Sequence, residues 1–341
     1  MTQILFRADA SRQIGSGHLM RCLTLAHALK DKGYSCRFIC QNLPGQLGSL
    51  VSEQGFTVDL IPVCQNEQDD ARYCLERIQA PIELLVVDHY QLGRNYEQQM
   101  RGKVANIMVI DDLANRPHDA DLLLDQNLVP QAELRYRNLV NSNCILLAGP
   151  RYALLRAEFY QAKAEQRTRL LVNFGGTDPD NLTLMALDAL DLLKSQPIPA
   201  DIVIGQSHPA ADVIRQRCEQ QPLWRFHQQC NYMAHLMLQA KLMLGAGGST
   251  HWERCFSQLP ALVVTVADNQ RQSTQYLDHL GACIWLGDST QQSIVKLADA
   301  IARCWQDEML LKQMAQKASE LLPHQAGTPA VVKAVTELMR L

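Results

Sequence analysis

The segment IGSGH places Gly15, Gly17 and His18 where an apolar run, ILFRADA, hands over to an amphipathic one, HLMRCLTLAHALKDKG. Glycine in such a loop permits positive φ and removes the Cβ that would keep a ligand at a distance. A histidine on the first turn of a helix lies in the partial positive field of the helix N-terminus. That field opposes imidazolium and leaves a ring able to take a proton near neutral pH, which is what a general base does. The same residues have a plainer use, in which Gly15 and Gly17 make a tight turn and His18 caps the helix. Without a third glycine the spacing is not a dinucleotide fingerprint.

Other polar residues follow apolar runs in the same way: Asp88, His89 and Tyr90 in VVDHYQL, Asp111 and Asp112 in VIDDLANR, Asp125 and Asn127 in LLDQN. Each alone is a cap or turn residue. Together they form a polar rim, and an acid beside His18 would orient its ring and stabilise its protonated state.

The second half carries two glycine turns. NFGGTDPDN brings Gly175, Gly176 and Thr177 ahead of a helix expected near Asn181, and GAGGSTHWERC brings Gly245, Gly247, Gly248, Ser249 and Thr250 ahead of a helix with Glu253. Backbone N–H groups at such turns can take phosphate oxygens, and two turns in one domain suit a diphosphate. Glu253 suits ribose hydroxyls and, equally, a capping box with Ser249 or Thr250. In TVADNQRQ, Asp268, Asn269 and Gln270 are placed for a pyrophosphate or a sugar. No GxxxxGK[ST] is present, which excludes a P-loop nucleotide hydrolase.

The elements that must position these residues are legible as short apolar runs separated by helix-sized intervals. They are ILFRAD, SCRFICQ, TVDLIPV, ELLVVDHY, NIMVIDDL, DLLLDQN and CILLAGP, then RLLVNFGG, ADIVIGQ, WRFHQQC, KLMLGAGG, ALVVTVAD and CIWLG. This alternation predicts βαβ units and parallel sheets covered on both faces. A chain of 341 residues exceeds one ordinary core, so two doubly wound domains are expected, over 1–150 and 151–341, with a cleft between them. The boundary falls near AGPRYALLRAEFYQAKAEQRTRL, read as a strand end followed by a helix with Leu154, Leu155, Phe159 and Ala162 on one stripe. From Ser289 onward the pattern is helical, interrupted at PHQAGTPA.

The chain is 47% hydrophobic and 20% charged, with net charge −3, which gives no electrostatic reason for nucleic acid. The N-terminal ILF is too short for a signal peptide, and no run reaches a membrane span. Eleven cysteines without CxxC spacing point to reduced thiols in a cytoplasmic protein, and no zinc ligand set is present.

With these residues assembled, the chain resembles the GT-B superfamily of UDP-sugar enzymes. GAGGSTHWERCFSQLPALVVTVADNQRQSTQYL is similar to the nucleotide-binding segment of the MurG glycosyltransferase family. FRADASRQIGSGHLMRCLTLA, VVDHYQL, IDDLANRPHDADLLLDQN, GPRYALLRAEFY and NFGGTDPDN together resemble the PseG family, the UDP-2,4-diacetamido-2,4,6-trideoxy-β-L-altropyranose hydrolases of pseudaminic acid synthesis. GSGH stands where MurG has a longer glycine-rich loop. The resemblance implies two Rossmann-like domains facing a cleft, UDP held mainly by the C-terminal one, His18 as catalytic residue, and neither cofactor nor metal. The partner is then a small UDP-sugar, with no nucleic acid or membrane. UDP is a stabilised leaving group and needs no protonating acid, so one base and an anion clamp suffice for water to displace it with inversion. Asp88, Tyr90 and Asn127 are candidates for holding the sugar or the water. The competing readings are a MurG-like transferase, a hydrolysing 2-epimerase of the sialic acid type, and a non-catalytic UDP-sugar sensor.

Overall fold

The computed structural model describes residues 2–11, 14, 17–161, 166–176, 178–206, 208–323 and 325–340. It divides into two compact units, 1–156 with 325–341, and 157–324.

The first unit runs β1 (Gln3–Ala8), α1 (Gly17–Lys30), β2 (Ser35–Gln41), α2 (Gly48–Glu53), β3 (Thr57–Ile61), α3 (Glu67–Arg77), β4 (Ile82–Asp88), α4 (Arg94–Met100), β5 (Val104–Ile110), β6 (Leu122–Asp125) and β7 (Ile145–Ala148). Its seven strands are all parallel, in the order β3-β2-β1-β4-β5-β6-β7. Alternation along β1 sends Ile4 and Phe6 to one apolar layer and Leu5 to the other. That both faces are buried is why the strands read as continuous apolar runs. Leu19, Cys22, Leu23, Ala26 and Leu29 bury one side of α1 against the first layer, and Gly33, at φ +90°, ends the helix as expected.

The second unit runs α5 (Ala157–Gln161), β8 (Arg169–Asn173), α6 (Leu182–Leu192), β9 (Ala200–Ile204), α7 (Ala211–Glu219), β10 (Trp224–Gln228), α8 (Met233–Gln239), β11 (Ala240–Ala246), α9 (Thr250–Phe256), β12 (Ala261–Thr265), α10 (Asp268–His279), β13 (Ile284–Asp288), α11 (Ile294–Gln306) and α12 (Glu308–Leu321). Its six parallel strands are ordered β10-β9-β8-β11-β12-β13. Each apolar run quoted above is a strand, and the doubly wound parallel architecture is as expected.

The last helix, α13 (Thr328–Leu338), belongs to the first unit, so the tail assigned by sequence to the second domain is reassigned. The reason is packing: Val331, Val332, Val335 and Leu338 are buried in the apolar layer that also holds α1. Thr328 Oγ1 accepts from Leu155 N–H (2.8 Å) and donates to Leu155 C=O (2.7 Å), pinning the start of α13 to the segment that leaves β7. Those bonds hold Leu155, and a bond from Leu154 N–H to Gln126 Oε1 (3.1 Å) holds Leu154, outside the helix expected there, which begins only at Ala157; Ala162 lies outside the described residues. The boundary accordingly falls at 156/157 rather than 150/151.

Candidate functional site

In an open parallel sheet, ligands sit beyond the carboxyl ends of the strands where the strand order reverses. In the first sheet that point lies between β1 and β4, whose last residues, Ala8 and Asp88, pair in register. His18, on the first turn of α1, is 7% exposed, and its Nδ1 lies 2.5 Å from Asp88 Oδ1. Asp88 also takes two bonds from Arg21, Nε to Oδ2 (2.5 Å) and Nη2 to Oδ1 (2.6 Å), and faces Cys22 Sγ at 3.7 Å. Burial pushes the Asp88 carboxyl up, but Arg21 and His18 outweigh it and hold the group below the ordinary carboxylate range. An ionised Asp88 requires the hydrogen on Nδ1, so a neutral His18 presents the lone pair of Nε2.

Asp88 has no solvent exposure and its oxygens are spent on His18 and Arg21. It therefore orients the ring and does not hold a sugar or water, a correction to the role expected for it. Tyr90 is 37% exposed, packs edge-on against His18 with ring centroids 4.4 Å apart, and its hydroxyl donates to Asp112 Oδ2 at 3.4 Å. Asn127 is half-buried just past β6, with its backbone N–H on Asp125 Oδ1 (3.0 Å). Gly17 begins α1, and a Cβ there would meet nothing within 4 Å. Gly15 lies outside the described residues.

Sequence reasoning missed the arginines. Asp9, Asp88, Asp111 and Asp125, at the ends of β1, β4, β5 and β6, are all buried, and each is paired: with Arg7, Arg21, Arg116 and Arg135. Arg116 also donates to the carbonyls of His89 (2.6 Å) and Leu92 (2.8 Å), and Arg135 to that of Asp112 (3.2 Å), which ties the trailing loops together. At Asp125 burial wins over Arg135 and pushes the carboxyl up to about 6. The polar rim thus has a structural job, closing strand ends, alongside any chemistry at His18.

The second sheet reverses order between β8 and β11, and the two glycine turns follow these strands. Gly175 (φ +91°) and Gly248 (φ +87°) adopt backbone that favours glycine. Gly245 is glycine for the sheet itself, since a Cβ would lie 2.4 Å from Asn173 O, and Gly247 is hemmed by His251, Thr274 and Gln270. The start of α6 is not open to phosphate: Asp178 accepts from Leu182 N–H (2.9 Å) and Thr183 N–H (2.8 Å). Any anion there must use the glycine turn itself. Thr177 lies outside the described residues. Ser249 makes no capping bond to α9, so no capping box forms through it; Ser249 is exposed, and Thr250 and Glu253 are half-buried. Asn269 is exposed. Gln270 Oε1 accepts from Val266 N–H (3.1 Å), which orients the amide of this residue, whose Nε2 is the end that would donate to a pyrophosphate.

Behind this turn lies a buried relay. Arg254 donates to His251 Nδ1 (3.2 Å), His251 Nε2–H donates to Thr274 Oγ1 (2.9 Å), and Thr274 donates to Gln270 C=O (2.7 Å). Burial, then Arg254, holds His251 well below the ordinary imidazole value. Among the described residues, no group of three or more His, Cys, Asp or Glu could hold a metal ion, and no helix is long and apolar enough to cross a membrane.

Two parallel doubly wound sheets, with polar residues at both order reversals, define a GT-B protein. MurG of Acinetobacter baumannii shares the fold, with a TM-score of 0.67 at 14% identity over 99% of this chain and 100% of that one. Residues 170–328 match the glycosyltransferase family 28 C-terminal domain. The chain is 33% identical over 196 residues to the UDP-2,4-diacetamido-2,4,6-trideoxy-beta-L-altropyranose hydrolase of Campylobacter jejuni, covering 56% of this chain and 67% of that protein. It is 24% identical over 336 residues to the spore coat polysaccharide biosynthesis protein SpsG of Bacillus subtilis, covering 95% and 92%. The chain belongs to the family of the Campylobacter jejuni hydrolase.

Proposed function

We propose that this protein hydrolyses a UDP-linked sugar, and specifically UDP-2,4-diacetamido-2,4,6-trideoxy-β-L-altropyranose, to UDP and the free sugar. The observation that carries the reading is the His18–Asp88 pair at the strand-order reversal of the first sheet, its Nδ1 fixed at 2.5 Å from the carboxylate and Nε2 left to accept a proton. A water attacks C1, the C1–O bond to the diphosphate breaks, the electron pair leaves with UDP, and the water's proton passes to His18 Nε2. Attack opposite the leaving group inverts the anomer. No acid on the leaving oxygen is required, which agrees with Asp88 being sealed from solvent. The reading assigns the diphosphate to the Gly175–Gly176 and Gly247–Gly248 turns, the ribose to Glu253, and the sugar to Tyr90 and Asn127.

The match of residues 170–328 to a glycosyltransferase domain favours a second reading, transfer of the sugar to an acceptor. Incubation of the protein with the UDP-sugar and no acceptor separates the two. Hydrolysis gives continuous, stoichiometric release of UDP and free sugar, whereas a transferase gives none above the spontaneous rate.

A further inference from the structure

The geometry around Asp88 points to a role for Arg21 that deepens this reading and rests on it. We infer that Arg21 keeps His18 in its proton-accepting form by cancelling the charge of the carboxylate that orients it.

A buried carboxylate at 2.5 Å from Nδ1 does two things to an imidazole. It fixes the tautomer, which helps a base, and it favours the imidazolium, which disables one. His18 needs the first effect without the second. Arg21 lies three residues on from His18 along α1, on the same face, and grips both oxygens of Asp88 through Nε (2.5 Å) and Nη2 (2.6 Å). Its remaining arm, Nη1, reaches Asp112 Oδ2 at 3.3 Å. The Arg21 side chain is 11% exposed and Asp88 not at all, so water screens this arrangement little. Arg21 Nη2 also lies 3.2 Å from His18 Nδ1. With the Nδ1 hydrogen directed at Asp88 this is a contact of like charges if the ring becomes cationic, and a tolerable one if it stays neutral.

Among the described residues, the titratable groups around the ring are Asp88 from β4, Arg21 and Cys22 from α1, Tyr90 from the segment after β4, and Asp112 from the segment after β5. Arg21 is the cation of that set. A guanidinium keeps its proton at every pH at which the protein folds, so the compensation is permanent, and its fork matches a carboxylate as an ammonium cannot.

The test is a titration of the His18 ring by 15N NMR in the full chain, read beside the pH dependence of kcat. Arg21→Gln leaves Asp88 uncompensated, so the ring midpoint and the acid limb of kcat move to higher pH by about one unit. Arg21→Lys keeps the charge and loses the fork, and moves them less. In Arg21→Gln/Asp88→Asn neither charge remains, and the midpoint returns toward wild type. This double variant also carries the test where Arg21→Gln alone fails to fold. A midpoint unchanged in folded Arg21→Gln, or a loss of rate equal at every pH, overturns the inference and leaves Arg21 a packing residue. The hydrolase reading fails separately: wild-type protein that releases no UDP above the spontaneous rate without an acceptor ends it, whatever Arg21 does to the ring.

Discussion

His18 Nδ1 meets Asp88 Oδ1 at 2.5 Å across 70 residues of chain, because β1 and β4 are neighbours in the sheet although β2 and β3 intervene in sequence. Changing Asp88 to Asn offers an amide N–H to Nδ1, which puts the ring hydrogen on Nε2 and removes the base. The expected result is a fall in kcat of about 10²- to 10⁴-fold with KM little changed, measured by UDP release. Asp88→Ala strands Arg21 as well, and costs about 3–5 kcal/mol in denaturant unfolding.

Gly205, just past β9, tests the glycine turn of the second unit without touching a ligand. A Cβ there would lie 2.2 Å from Gly176 O and 2.7 Å from Gly176 Cα, so the Gly175–Gly176 turn must shift. Gly205→Ala is expected to raise KM for the UDP-sugar and Kd for UDP by about tenfold or more, with kcat less affected. Unchanged UDP affinity, measured calorimetrically, removes that turn from the binding site.

Asp125 and Asp88 give opposite pH dependences of stability. The Asp125 carboxyl is raised from 3.8 to about 6, so its contribution is complete below pH 3.8 and is lost as pH rises through 6. At about 1.4 kcal/mol per unit, that amounts to about 3 kcal/mol. Asp88 is lowered, so its contribution is present above 3.8 and is lost as pH falls below that value. Asp125→Asn is therefore expected to flatten the decline in unfolding free energy between pH 4 and 7, read from urea midpoints.

His251 adds an acid-labile term in the second unit. Its ring is held well below 6.5, so it favours the folded state above pH 6.5 and withdraws that contribution as pH falls below it. Protonation would also break the bond that Nδ1 accepts from Arg254. His251→Gln is expected to lower stability at pH 8 and to reduce its further loss toward pH 5.

Thr328 holds both backbone groups of Leu155, and its own side chain is buried. Thr328→Val leaves a buried N–H and C=O without these bonds, at about 1–3 kcal/mol each. Hydrogen exchange in α13 is expected to quicken before that in α1.

Sequence reasoning recovered the sheets because parallel strands buried on both faces are unbroken apolar runs, as in ELLVVD and KLMLG. It also put His18 and Asp88 on one rim, since both follow such runs, but did not single out Asp88 from Asp111, Asp112 and Asp125 as the acid beside the ring. It missed Arg21, Arg116 and Arg135 because an arginine's partner depends on which loops the fold makes neighbours: Arg21 and Asp88 are 67 residues apart. It placed α13 with the wrong unit for the same reason. TPAVVKAVTEL has the stripe of a packed helix, but nothing in a stripe names the surface it covers. The Asp178 carboxylate and Gln270 Oε1 accept from backbone N–H groups beside their own helix starts, a fate common to polar side chains there.

The most direct test follows UDP-2,4-diacetamido-2,4,6-trideoxy-β-L-altropyranose by 1H NMR with wild type and with His18→Ala, in the absence of any acceptor. The account expects wild type to release UDP and free sugar with the anomeric configuration inverted and C2 unchanged, and His18→Ala to be slower by about 10²- to 10⁴-fold. A His18→Ala protein that turns over at the wild-type rate contradicts it.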